Sequence, residues 1–185
     1  MRRKTVFLSL IFLFLSLLIF KGWLYRSIIS YREIGQRHLI PIENQAIIKD
    51  LDHWSTANPN ADLDQIVAFS KQYTTSGINY TFDACPTNPN QILPQKTATN
   101  CIGYSAALHA VCTYLLKKRG LNNTVKSVHK VGNLYVGNFN IHQCFRSPAF
   151  KDHDYNVIYD TRNGQRFVID PTVYATLGIE SVTEP

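Results

Sequence analysis

The 185-residue sequence holds four cysteines and six histidines but no C-x2-C pair and no H-x3-H pair, so it offers no metal-binding spacing. It has no stripe of lysine and arginine interleaved with aromatics, which leaves nucleic-acid binding without support. Internal repeats and low-complexity tracts are absent, which excludes a repeat array. Acidic residues are missing from the first 25 positions, whereas Arg2, Arg3, Lys4 and Lys21 all lie there. Without that segment, 15 basic residues face 13 acidic ones, so the net charge of +6 belongs mostly to the N-terminus and the remainder is near neutral.

What stands at the N-terminus is a basic cluster followed by an uncharged, largely apolar run from Val6 to Phe20. Lys21, Trp23 and Tyr25 extend it with side chains suited to a membrane interface. No small-x-small cleavage site follows, which favours an uncleaved signal anchor over a cleaved signal peptide. The expected organisation is an anchor over 1–25, a juxtamembrane linker over 26–40 and one domain over 41–185. The N-terminal basic cluster keeps that end in the cytoplasm, which places the domain outside, in a single-pass arrangement.

Beyond residue 40, "IENQAIIKDLDHW" brings Ile42, Ile47, Leu51 and Trp54 near one helical face. "NPNADLDQIVAFSKQY" opens with turn residues and an Asp62-to-Gln65 capping box. "INYTF" reads as a short extended piece, and residues 83–99, rich in Pro, Asn and Thr, read as a long loop. After Gly120 the segments "NTVKSVHKV", "NLYVGNFNI", "DYNVIYD" and "QRFVID" alternate and favour β-branched and aromatic residues, as antiparallel strands do. Helices first and strands second is the α+β pattern.

Between these halves lies "ATNCIGYSAALHAVCTYLLKKRG". Thr99 or Asn100 is suited to the N-cap, Gly120 to the C-terminus, and Lys117, Lys118 and Arg119 to the last turn. Cys101 then falls at the first helical position, where outward-pointing N–H groups and the helix field favour a thiolate. Cys112, about three turns on, belongs with the buried face as a core thiol. A nucleophile needs a base and the base an orienting group. His38, His53, His109, His129 and His142 read as structural. His153 instead opens a strand that reverses at "TRNG" and returns to Asp170, which Pro171 follows. If Thr161–Gly164 form a four-residue loop, Asp170 lies opposite Tyr155, one diagonal step from His153. A two-residue turn would carry it out of reach.

Cysteine, histidine and aspartate in this order, within "TNCIGYSAALHAVCTYLLKKRG", "HDYNVIY" and "FVIDPT", resemble the transglutaminase-like superfamily of papain-like cysteine enzymes. The resemblance covers roughly residues 60–175. Two positions depart from the family pattern: "TN" replaces the usual glycine before the cysteine, and Tyr155 replaces a commoner tryptophan. The resemblance implies an α+β core with the nucleophile helix packed on an antiparallel sheet. It also implies a Cys101–His153–Asp170 triad that hydrolyses peptide or protein amides or transfers their acyl group, without metal or cofactor. Gln95, six residues before Cys101, matches the oxyanion glutamine of papain-like proteases, while the transglutaminase branch often uses an aromatic donor. A location outside the cytoplasm allows Cys85 and Cys144, in polar segments flanking the site, to form a disulfide. The competing class is a non-catalytic binding module of the same fold, which usually lacks a triad member.

Overall fold

The computed structural model describes residues 2–147 and 150–184, with side chains given for Phe12 and from Leu15 onward. Met1 and the side chains of Arg2, Arg3 and Lys4, on which the anchor's orientation was read, lie outside the described residues. Six α-helices and five strands are present among them. They follow the order α1 (Arg2–Ile28), β1 (Ile29–Arg37), α2 (Gln45–Ala57), α3 (Leu63–Thr75), α4 (Pro89–Gln95), α5 (Cys101–Lys118), β2 (Val125–Val136), β3 (Phe139–Asn140), β4 (His153–Asp160), β5 (Arg166–Ile169) and α6 (Pro171–Leu177). This is the expected α+β arrangement, with α5 packed across β2 and β4. Among the described residues no helix is long and apolar enough to cross a membrane.

Local signals act where they stand in the chain. Asp62 caps α3 by accepting from Gln65 N–H, while the Gln65 side chain accepts from Asp62 N–H, a reciprocal capping box. Asn44 caps α2, whose Ile47 and Leu51 are buried. Trp54 is stacked on Phe69 of α3 with ring centroids 4.3 Å apart.

The sheet runs β1-β2-β4-β5, antiparallel throughout, with β3 folded back on β2. The segment 26–40 is therefore no linker, which corrects the domain boundaries read from sequence. Its residues 29–37 form edge strand β1, paired to β2 from Ile29↔Val136 to Arg37↔His129. Polar residues at alternate positions hide this strand in the sequence, because only Tyr31 is wholly buried. The supposed loop at 83–99 also contains α4, started by the Asn88 cap with Pro89 at the first turn.

Two cores result. One lies between the helices and the sheet, around Ile66, Leu108, Val111, Leu115 and Ile158. The other is smaller and holds Tyr31, Tyr155, Val157 and Val182, with Tyr25 packed against it. The C-terminal segment joins the two edges of the sheet: Val182 N–H donates to Val168 O of β5 at 2.9 Å, and Tyr31 N–H of β1 donates to Thr183 O at 2.8 Å. Glu184 then accepts from Lys130 at 2.8 Å and also binds Tyr155 and Arg166. The edges thus curl toward one another, so residues of β1 and the end of β5 meet.

Candidate active site

Asn100 occupies the N-cap of α5 in extended conformation, its side chain accepting from Ile102 N–H at 3.1 Å and Gly103 N–H at 3.3 Å. Such a cap contributes about 1 kcal/mol. Cys101 N–H, at the first helical position, has no partner among the described residues and remains available as a donor. The helix start sits tightly against its neighbours. A Cβ on Gly103 would meet Thr99 Oγ1 and would come within 2.9 Å of Ile92 Cδ1, so only glycine allows this approach. Thr99 in turn donates to Pro86 O at 2.8 Å.

His153 opens β4 opposite Gly132. The hairpin to β5 uses the longer loop: Asn156↔Ile169 is the last ladder pair, so Asp170 follows in the same register opposite Tyr155. Asp170 Oδ2 lies 2.6 Å from His153 Nε2, and both side chains are largely shielded from water. With Nε2 engaged, Nδ1 is the nitrogen left for the thiol. Burial is the largest effect on His153 and pushes its pKa down. The Asp170 charge and hydrogen bond, with smaller help from a hydrogen bond and charge at Cys101, outweigh it and hold the imidazole well above its ordinary value. Burial likewise pushes Asp170 up, and His153 together with donors from Tyr31 and Val173 brings it below the usual carboxylate range. The structure therefore brings Cys101, His153 and Asp170 together.

Gln95 does not join them. Ile92 and Leu93 take the inward face of α4, and Gln95 ends the helix exposed, outside the cleft beside Cys101. That cleft, of about 80 Å³, is lined by Tyr80–Phe82, Asn100–Ile102 and Asp152. Tyr80 is held there by a parallel bridge to Thr99. Burial first, then charge on Cys101 and Asp170, pushes its phenol up to about 12, so it keeps its proton across the neutral range. Tyr80 is thus the aromatic residue bearing a hydroxyl that lines the cleft with Cys101. Its sequence signal was only its position in "INYTF". An aromatic row continues outward from it, Tyr80 to Phe82 at 4.9 Å and Phe82 to Phe150 at 5.2 Å between centroids.

The Cys85–Cys144 pairing also falls: all four cysteines are free thiols, with Cys85 half-buried and Cys144 exposed on the short 3-10 turn Ile141–Cys144. That turn is pinned elsewhere, by the Asn140 cap and by His142 Nδ1 against Phe150 O at 2.7 Å. Cys112 is fully buried and burial pushes its thiol up to about 12, in keeping with a core residue. Beneath the site lies a buried polar layer. Arg37 donates to Asp154 at 2.8 Å, His129 approaches the same carboxylate at 3.4 Å, and Asn156 donates to Ser105 O of α5 at 3.0 Å. Burial, followed by the charge on His129, lowers His109 to about 4 and keeps it neutral. Larger hollows lie elsewhere, one of 610 Å³ along α1 by Phe20 and Trp23 and one of 560 Å³ by Leu39 and Tyr114, and neither contains a cysteine or a histidine.

No protein-family model matches the chain, and no curated protein does. Among solved structures, the crystal structure of the periplasmic domain of TgpA from Pseudomonas aeruginosa bound to ethylmercury aligns with 76% of this chain and 49% of its own, at 15% identity and a TM-score of 0.49. This chain spans about half the length of that structure.

Proposed function

We propose that the chain is a transglutaminase-like cysteine enzyme that opens peptide or protein amides through Cys101, His153 and Asp170. The observation that carries this reading is the 2.6 Å His153–Asp170 pair, buried beside a cysteine at a helix N-terminus. In the reaction, His153 Nδ1 already holds the proton of the Cys101 thiol, and the Sγ thiolate adds to the amide carbon. The Cys101 N–H and the Tyr80 hydroxyl are the donors for the resulting oxyanion. Collapse of the intermediate expels the amine, which leaves with the proton from His153, and an acyl-enzyme remains. Water, deprotonated by His153, completes hydrolysis; an amine in its place completes transfer. Asp170 keeps the proton on Nε2 and stabilises the imidazolium.

The apolar run Val6–Phe20 supports a chain held in a membrane with this domain outside the cytoplasm. The test is chemical. In the full-length protein, iodoacetamide should modify Cys101 rapidly at pH 5–6 while Cys112 stays untouched, and amide cleavage should vanish in a folded Cys101→Ser variant. Slow alkylation that rises only with an ordinary thiol titration sinks the proposal.

A further inference from the structure

Asp170 Oδ2 has a second partner on the opposite edge of the sheet. The Tyr31 hydroxyl donates to it at 2.7 Å across 139 sequence positions, from a ring with no exposure to solvent. The Tyr31 oxygen in turn lies 2.6 Å from the Tyr25 hydroxyl of α1. A phenol has one proton to give. Tyr31 gives its proton to Asp170, so Tyr25 must be the donor in the outer pair. The sequence of donors Tyr25, Tyr31, Asp170 therefore points one way, toward a carboxylate that His153 approaches from the other side at 2.6 Å.

The remaining oxygen, Oδ1, is taken by Thr172 N–H at 2.9 Å and Val173 N–H at 3.0 Å. Asp170 thus has four donors and no freedom to turn. The Tyr31 ring also meets His153 edge-on at 6.0 Å and Tyr155 at 5.1 Å, which fixes the phenol itself. The seating of α1 is shared with the C-terminal segment, since Thr183 Oγ1 donates to Arg26 O at 3.3 Å.

We propose that Tyr31 is a positioning residue for the His153–Asp170 pair, and that Tyr25 makes the geometry of that pair depend on how α1 is seated against the sheet. This rests on the triad reading above. The groups facing Asp170 are His153 from β4, Tyr31 from β1 and Tyr25 of α1 through Tyr31, with Tyr80 feeling its charge and Cys101 on His153. A buried carboxylate that loses a donor binds its proton at higher pH, and a protonated Asp170 no longer holds the imidazolium. Loss of the phenol should therefore weaken the thiolate–imidazolium pair from the acid side.

The experiment uses full-length protein in detergent micelles with Cys85→Ser and Cys144→Ser, so that Cys101 and the buried Cys112 are the thiols left. The second-order rate of iodoacetamide alkylation is followed from pH 4 to 9. Tyr31→Phe should move the acid limb of the profile upward by about half to one pH unit, and Tyr25→Phe by a smaller step in the same direction. Tyr25 is only half-buried and keeps its ring in Tyr25→Phe, so that variant decides the matter if Tyr31→Phe does not fold. A purely structural tyrosine would lower the unfolding temperature and leave the limb in place. A shifted profile in the parent protein that both variants leave unchanged overturns this inference alone. An ordinary thiol titration in the parent overturns the triad reading and this inference with it.

Discussion

Asp170 divides its two oxygens between His153 and the backbone of α6. Oδ2 takes His153 Nε2 at 2.6 Å, and Oδ1 caps the helix through Thr172 and Val173. The same side chain thus starts a helix and orients the imidazole, which ties local folding to the chemistry proposed for the site.

Substitution at Asp170 should separate these two duties. Asn is also a good N-cap, so Asp170→Asn should keep α6 and the fold. Its amide nitrogen would face His153 and force Nε2 to accept, which leaves the proton on Nδ1, where it opposes the thiol. Amide hydrolysis should fall by roughly three to four orders of magnitude. Asp170→Ala should in addition cost about 3–5 kcal/mol, because it strands a buried imidazolium and removes the cap. Urea unfolding beside initial-rate measurements distinguishes the two variants, and an equally active Asp170→Asn contradicts the orienting role.

The pH dependence follows from the two opposed shifts. Asp170 is lowered in the fold, so its contribution to stability is present above the unfolded carboxylate range and is lost as pH falls through the folded value. His153 is raised, so its contribution is complete below the ordinary imidazole range and is lost as pH rises through the folded value. Stability from the pair should peak between these limits. His153→Ala should flatten the alkaline side of the profile, measured by thermal unfolding from pH 3 to 10; an unchanged alkaline side would show that His153 is not charged in the fold.

Tyr80 supplies the third prediction. If its hydroxyl meets the developing oxyanion, Tyr80→Phe should lower kcat by roughly 10²-fold with little change in KM. Gln95→Ala should leave both constants unaltered, since Gln95 stands exposed outside the cleft. The reverse pattern would restore Gln95 as the donor.

Gly103 tests the packing that seats Cys101. A methyl group there meets the Thr99 hydroxyl and Ile92 Cδ1, so Gly103→Ala should destabilise by about 1–3 kcal/mol and slow Cys101 alkylation. Gly137→Ala, at a positive φ of 59° with open space around it, tests a turn remote from Cys101 and should leave that alkylation unchanged. Chemical denaturation and thiol kinetics on both variants check the contrast.

Several features were written locally and could be read without coordinates. The caps of α3 and α5 depend on side chains bonding backbone two or three positions away, and the four-residue Thr161–Gly164 loop, one of two turns open to the sequence, sets Asp170 across from Tyr155. The placement of Cys101 at a helix start and of His153 at the start of a strand followed from such short-range signals, because caps, turns and strand registers act over a few residues. Strand β1 could not be recognised this way. Its burial comes from β2, about a hundred residues later, and its edge position lets most of its side chains stay polar. Tyr31 meets Asp170 only because the C-terminal segment draws the two sheet edges together. The choice of Tyr80 over Gln95 beside the thiol likewise depends on where α4 and the Tyr80–Thr99 bridge come to rest. Sequence spacing could determine the order of the chemical groups and their local geometry. The shared burial around them required the folded chain, since the elements that supply it are distant in sequence and meet only in three dimensions.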